Sequence, residues 1–152
     1  MKNSIIWVIL ICIFGCESKE DRRVNKIVEY TTWIDTTNVI VKVESLTLLF
    51  SIGFEVEEEV EVLLNNKLIG SISCKTDNST GYCLDNESKL VSLDINLNSL
   101  NFGDTLFFSL EGDMSALVIP SNIMEYNRLV IGKGKSNLNA SLERTGEILH
   151  LE

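Results

Sequence analysis

Two cysteines carry the clearest chemistry in the chain. Cys74 and Cys83 enclose residues 75–82, a stretch rich in turn formers. In an oxidising compartment such a pair is expected to close a disulfide. Closing so short a loop contributes about 2.5 kcal/mol when the bond is unstrained. The spacing is not that of a C-x-x-C redox pair, and the one histidine of the chain, His150, lies far along the sequence. A zinc or redox role is therefore not expected of the pair. Within the loop, Asp77-Asn78-Ser79-Thr80-Gly81 begins like a calcium loop. The twelfth position, where a bidentate acid is needed, holds Ser88. A turn built on the Asp77 side chain is the expected structure. Exposed at a stapled tip, Asp77, Asn78 and Tyr82 form a candidate interaction loop.

Glu55, Glu57, Glu59 and Glu61 form a second constellation. On an extended strand they share one face, with neighbours about 7 Å apart. Two of them could approach one cation, but calcium takes six to eight oxygens, more than one strand supplies. No metal site is expected, and the row reads as a solvated, self-repelling face that discourages edge pairing. Glu58 is the odd member, because it falls in the apolar phase of the same strand. A bulge, a strand end or an inward-facing charge would account for it.

Catalytic machinery is not evident. G-x-S-x-G, H-E-x-x-H and phosphate-cradling glycine loops do not occur. His150 would need an acid or nucleophile brought from elsewhere, and the sequence suggests none. A carboxylate pair of the glycosidase kind is the one enzymatic route left open. The expectation is a protein that is not an enzyme and needs no cofactor.

The elements that must position these groups have a period of two. Phe54, Val56, Glu58, Val60, Val62 and Leu64 alternate with Glu55, Glu57, Glu59, Glu61 and Leu63. Leu46, Leu48, Phe50 and Ile52 form another such set, as do Val91, Leu93, Ile95 and Leu97, and Leu106, Phe108 and Leu110. Alternation of this kind marks strands with one buried face. Val39, Val41 and Val43 are out of phase with Leu46 and Leu48, which implies a bulge or turn near Glu44-Ser45. Leu64-Asn65-Asn66-Lys67-Leu68 reads as a tight hairpin, because Asn tolerates positive φ. Asn101-Phe102-Gly103-Asp104 and Arg144-Thr145-Gly146 are further breaks. Some eight to eleven short strands follow, with turns every ten residues or so, and the fold class expected is all-β, an antiparallel β-sandwich. The one short helical candidate follows Pro120, over residues 121–128. Residues 97–106 resemble a strand junction common in bacterial immunoglobulin-like sandwiches, which implies that fold or a related one.

The N-terminus is of another kind. Met1-Lys2-Asn3-Ser4 is positive, and residues 5–14 are apolar without a break. As a helix this run reaches about 15 Å, half of the roughly 30 Å hydrocarbon core. That suits the apolar region of a signal peptide better than a membrane span. It ends in Ile13-Phe14-Gly15-Cys16, which resembles a lipobox, the processing site of bacterial lipoproteins. The resemblance covers these first residues and implies cleavage before Cys16, with diacylglycerol on its sulfur and often a third chain, commonly palmitate, on its amine. Two or more acyl chains anchor a protein stably, at about 0.8 kcal/mol per buried methylene. Residues 16–25 then read as a lipidated cysteine and polar tether, with an r.m.s. reach of roughly 17 Å. Within it Lys19-Glu20-Asp21 is similar to the export signal of surface lipoproteins in the Bacteroidota. Glu17 stands where many inner-membrane lipoproteins of enterobacteria carry aspartate. Both features favour an outer-membrane or cell-surface address.

All 22 Asp and Glu follow Cys16, with all but one of the 13 Lys and Arg. The part after the anchor is therefore strongly acidic and repels phosphate backbones, which excludes nucleic acid as an expected partner. The organisation expected is signal peptide 1–15, tether 16–25 and a β-sandwich over 26–152. The function expected is a lipid-anchored structural or binding module of the cell envelope. Alternatives are an inhibitor or immunity-type protein that blocks an envelope enzyme or toxin, and a carboxylate-dependent hydrolase.

Overall fold

A computed structural model describes residues 26–34, 44–135 and 137–145. The signal peptide, Cys16, the tether, the Val39-Val41-Val43 alternation and His150 lie outside the described residues.

Among the described residues ten strands form two sheets of five. They are β1 (Lys26–Ile27), β2 (Tyr30–Ile34), β3 (Ser45–Phe50), β4 (Glu58–Leu64), β5 (Lys67–Cys74), β6 (Ser92–Asn96), β7 (Thr105–Leu110), β8 (Asp113–Val118), β9 (Arg128–Lys133) and β10 (Leu138–Arg144). One sheet has the order β1-β8-β7-β4-β5, the other β2-β10-β9-β3-β6. The all-β, two-sheet sandwich read from the alternation is present. Its sheets are mixed rather than purely antiparallel, since β1 pairs with β8, β2 with β10 and β3 with β9 in parallel. Alternation reports which face is buried and not strand direction, so this mixture was not legible in it.

The period of two places Leu46, Leu48 and Phe50 of β3, Val60 and Val62 of β4, Leu106 and Phe108 of β7, and Leu129 and Ile131 of β9 in the core between the sheets. Each fully buried side chain of this size contributes about 1.5–3 kcal/mol. Phe50 and Phe54 meet edge to face, with ring centroids 6.0 Å apart. The alternation expected from Phe54 is broken at its start: Val56 is exposed, because β4 begins only at Glu58. At the far end of β4 its pairing with β5 shifts between Val62 and Leu63, leaving Ile69 of β5 as an extra residue, while Leu63, on the face opposite Val62, is also buried.

The turns follow their residues. Asn65 and Asn66 take φ of 49° and 67°, the type I′ geometry that suits a two-residue hairpin between twisted strands. The helix expected over residues 121–128 is not formed. A single 3-10 turn, Ile123–Glu125, stands there, and Arg128 already opens β9. Arg128, Leu129 and Ile131 are buried in that strand, and this packing outweighs the local helical preference. Gly53 (φ +101°) is required on two counts, because a Cβ there would also lie 1.9 Å from the Lys133 carbonyl oxygen. The close approach lets Lys133 N donate to Ile52 O at 2.9 Å, which ties the loop after β3 to the end of β9.

Two of the places where the chain passes from one sheet to the other bear on its surface. Between β1 and β2 it crosses at Val28, whose N donates to Ala116 O at 2.7 Å and whose side chain is buried. Between β5 and β6 it crosses through residues 75–91, a loop whose Cys83 is bonded back to Cys74 at the end of β5. No helix among the described residues is long and apolar enough to cross a membrane.

Candidate interaction surface

Cys74 ends β5, and Cys83 lies in the following loop. They are bonded to each other, with Cα atoms 5.3 Å apart, and both are fully buried. The staple joins the sheets, since Cys83 N donates to Phe50 O of β3 at 2.8 Å while Cys74 belongs to β4's partner strand. Thr76 adds a second tie. Its hydroxyl donates to Ser51 O at 2.9 Å and accepts from Phe54 N at 3.1 Å.

The candidate loop residues are brought together, but they do not all point outward. Asp77 Oδ1 accepts from Ser79 N at 2.9 Å and Thr80 N at 3.0 Å, and also from the Ser79 hydroxyl. This is the expected Asx turn, closed by Gly81 N donating to Asp77 O at 2.8 Å. The Ser79 hydroxyl, followed by the Thr80 backbone amide, holds the Asp77 carboxyl below its ordinary value. Tyr82 is half-buried, and its backbone bridges to Ser51. Asn78 is exposed at the tip together with Ser79 and Thr80. The loop is thus a braced tip in which Asp77 serves the turn itself.

The glutamate row divides. Glu55 and Glu57 precede β4, while Glu59 and Glu61 lie in it. Ser71 Oγ donates to Glu59 Oε1 at 2.6 Å, and Ser73 Oγ donates to Glu57 Oε1 at 3.4 Å. The strand register places Ser71 opposite Glu61 and Ser73 opposite Glu59. Each bond therefore runs diagonally and draws a carboxylate from the β4 line out over β5. Among the described residues no three His, Cys, Asp or Glu side chains come together as metal ligands would.

Of the three accounts open for Glu58, two hold together: it is the first residue of β4, and its charge points inward. It forms an ion pair with Lys133 Nζ of β9, across the two sheets. Its other oxygen, Oε2, is buried without a hydrogen-bond partner among the described residues. Lys133 was missed in the sequence because nothing local marks a residue so far along the chain as the partner. At the opposite end of the sandwich a second polar cluster was also missed. Asp104 accepts from Asn65 Nδ2 at 2.9 Å and from Asn101 N at 2.8 Å, while Asn65 Oδ1 accepts from Thr105 N at 2.9 Å. The Asn65 side chain, followed by the Asn101 backbone amide, lowers the Asp104 carboxyl from its ordinary value. Both segments read as turns in the sequence, but nothing in it marks the two turns as neighbours.

Compared with protein-family models, curated proteins and solved structures, the chain has no significant match.

Proposed function

We propose that this chain is a lipid-anchored binding module of the bacterial cell envelope, held by acyl chains on Cys16 and presenting a rigid β-sandwich. The observation that carries this reading is the apolar run ending in Ile13-Phe14-Gly15-Cys16, followed by a polar tether. The layout of the domain agrees with it. The tether joins at Lys26, which opens the two-residue strand β1 at one edge of its sheet and contacts Asp113 at 3.6 Å. The opposite edge of that sheet, β5, is left facing away from the junction.

What the described residues offer is a stapled loop and an acidic face. The acidic face also favours the related reading of an inhibitor or immunity-type protein directed at a basic envelope partner, with Glu57 and Glu59 as contacts. Cell fractionation tests the anchor. The native chain is expected in the membrane fraction, released by detergent and not by salt, and is expected to incorporate a radiolabelled fatty acid that Cys16→Ala does not take up. A native chain that carries no label would overturn the lipid anchor in favour of retention by the uncleaved apolar segment.

A further inference from the structure

Strand β5 runs for eight residues as the outer strand of its sheet and is paired only with β4 among the described residues. An outer strand presents a row of backbone N–H and C=O groups, and proteins commonly blunt such edges with charge, proline or brevity. The other edge of this sheet, β1, is two residues long, and the β6 edge of the second sheet carries Asp94. β5 is neither short nor interrupted by proline: its one charge is Lys67 at its start and its one irregularity is the extra residue Ile69, and from Gly70 to Cys74 it is uncharged and regularly paired. Charge is delivered over it from β4 and the residue just before β4, by the diagonal bonds from Ser71 to Glu59 and from Ser73 to Glu57.

We propose that β5 is the docking edge for an extended, basic segment of a partner protein, which adds to the sheet as a further strand and lays Lys or Arg side chains against Glu57 and Glu59. This rests on the binding-module reading and names the chemistry of its partner. A strand added here lies about 4.8 Å beyond β5, and its same-face residues recur about every 7 Å, the spacing of successive same-face glutamates. A serine hydroxyl occupies only part of the acceptor capacity of a carboxylate, so each glutamate can still receive an ammonium or guanidinium group. The same acidic row opposes pairing of two copies through β5, because two acidic rims would then meet. The β1 edge, where the tether joins, lies four strands away, about 19 Å, so the anchor leaves β5 open.

The test uses the full-length chain in non-ionic detergent and a fluorescent peptide of alternating Lys and Thr, read by anisotropy at low salt. Saturable binding is expected. It should weaken on the order of tenfold when alternate peptide amides are N-methylated, which keeps the charge and removes the strand hydrogen bonds. The exposed double reversal Glu57→Lys/Glu59→Lys should weaken it by a similar factor, with the urea midpoint checked for folding. Equal binding of the N-methylated peptide would reduce the effect to general charge attraction and overturn the proposal. So would the absence of binding, or equal binding of an Asp/Thr peptide. A concentration-dependent dimer abolished by Ser71→Lys would assign the edge to a second copy and overturn it as well. None of these results alters the membrane retention of the native chain, so failure here is distinguishable from failure of the lipid-anchored reading on which the proposal rests.

Discussion

Glu58 on β4 and Lys133 on β9 are 75 residues apart in the chain and form an ion pair that spans the two sheets beside the disulfide. The Glu58 side chain is 11% exposed and that of Lys133 28%. The cross-sheet pair, the Cys74–Cys83 bond and the Gly53 contact together close one end of the sandwich.

Breaking this pair from one side leaves the other charge without its partner. Lys133→Met is expected to cost about 1–3 kcal/mol, with the lower part of that range favoured by the partial exposure of Lys133. The double variant Glu58→Leu/Lys133→Met is expected to be more stable than Lys133→Met alone, because no charge is then stranded. Urea midpoints of the two variants and the parent check this; additive losses would contradict it.

Gly53 is a sharper test of backbone geometry. Gly53→Ala places a Cβ against the Lys133 carbonyl oxygen at a φ of +101°. A loss above about 2 kcal/mol is expected. Gly112 also has positive φ, 87°, but nothing lies within 4 Å of the position its Cβ would take. Gly112→Ala should cost about 1 kcal/mol. Equal losses at the two positions would refute the close-contact explanation.

Much of this was readable in the sequence. The alternation at Leu46, Leu48 and Phe50, and at Leu106 and Phe108, reported one-sided burial, because burial is a local property of a strand. Asn65-Asn66 reported its turn, because positive φ is a property of the residue. Strand partners were not readable. Whether β3 lies beside β9 in parallel depends on contacts between segments some eighty residues apart, as with Ser51 and Ile131. The same holds for the candidate surface. The glutamate row was visible as a row, whereas the serines that draw two of its members over β5 belong to another strand.

Acid should loosen the two turns that carboxylates hold. Asp77 and Asp104 both have folded pKa values below their ordinary 3.8. The unfolded chain therefore binds these protons first. Their contribution is fully present above about pH 5 and is lost as pH falls through 3.8 and on through the lower folded values. Asp104→Asn should show a smaller drop in melting temperature than the parent between about pH 6 and about pH 2. An identical drop would show that Asp104 contributes no acid-sensitive stability.

The disulfide should matter for stability rather than for reactivity, because both sulfurs are enclosed in the core. Replacing the pair by Cys74→Ala/Cys83→Ala is expected to lower the stability by about 2–3 kcal/mol. Guanidinium unfolding of the variant and parent measures it, and an unchanged midpoint would mean that the ties from Thr76 and Cys83 N suffice alone.

The central claim, a lipid-anchored chain that begins at Cys16, is tested most directly by the intact mass of the detergent-extracted native protein before and after reduction. The expected mass is that of residues 16–152 plus one diacylglyceryl group, with or without a third acyl chain, rising by two hydrogens on reduction. A mass that lacks lipid, or one that retains residues 1–15, would contradict the anchor and reassign the protein to a freely secreted or membrane-spanning form.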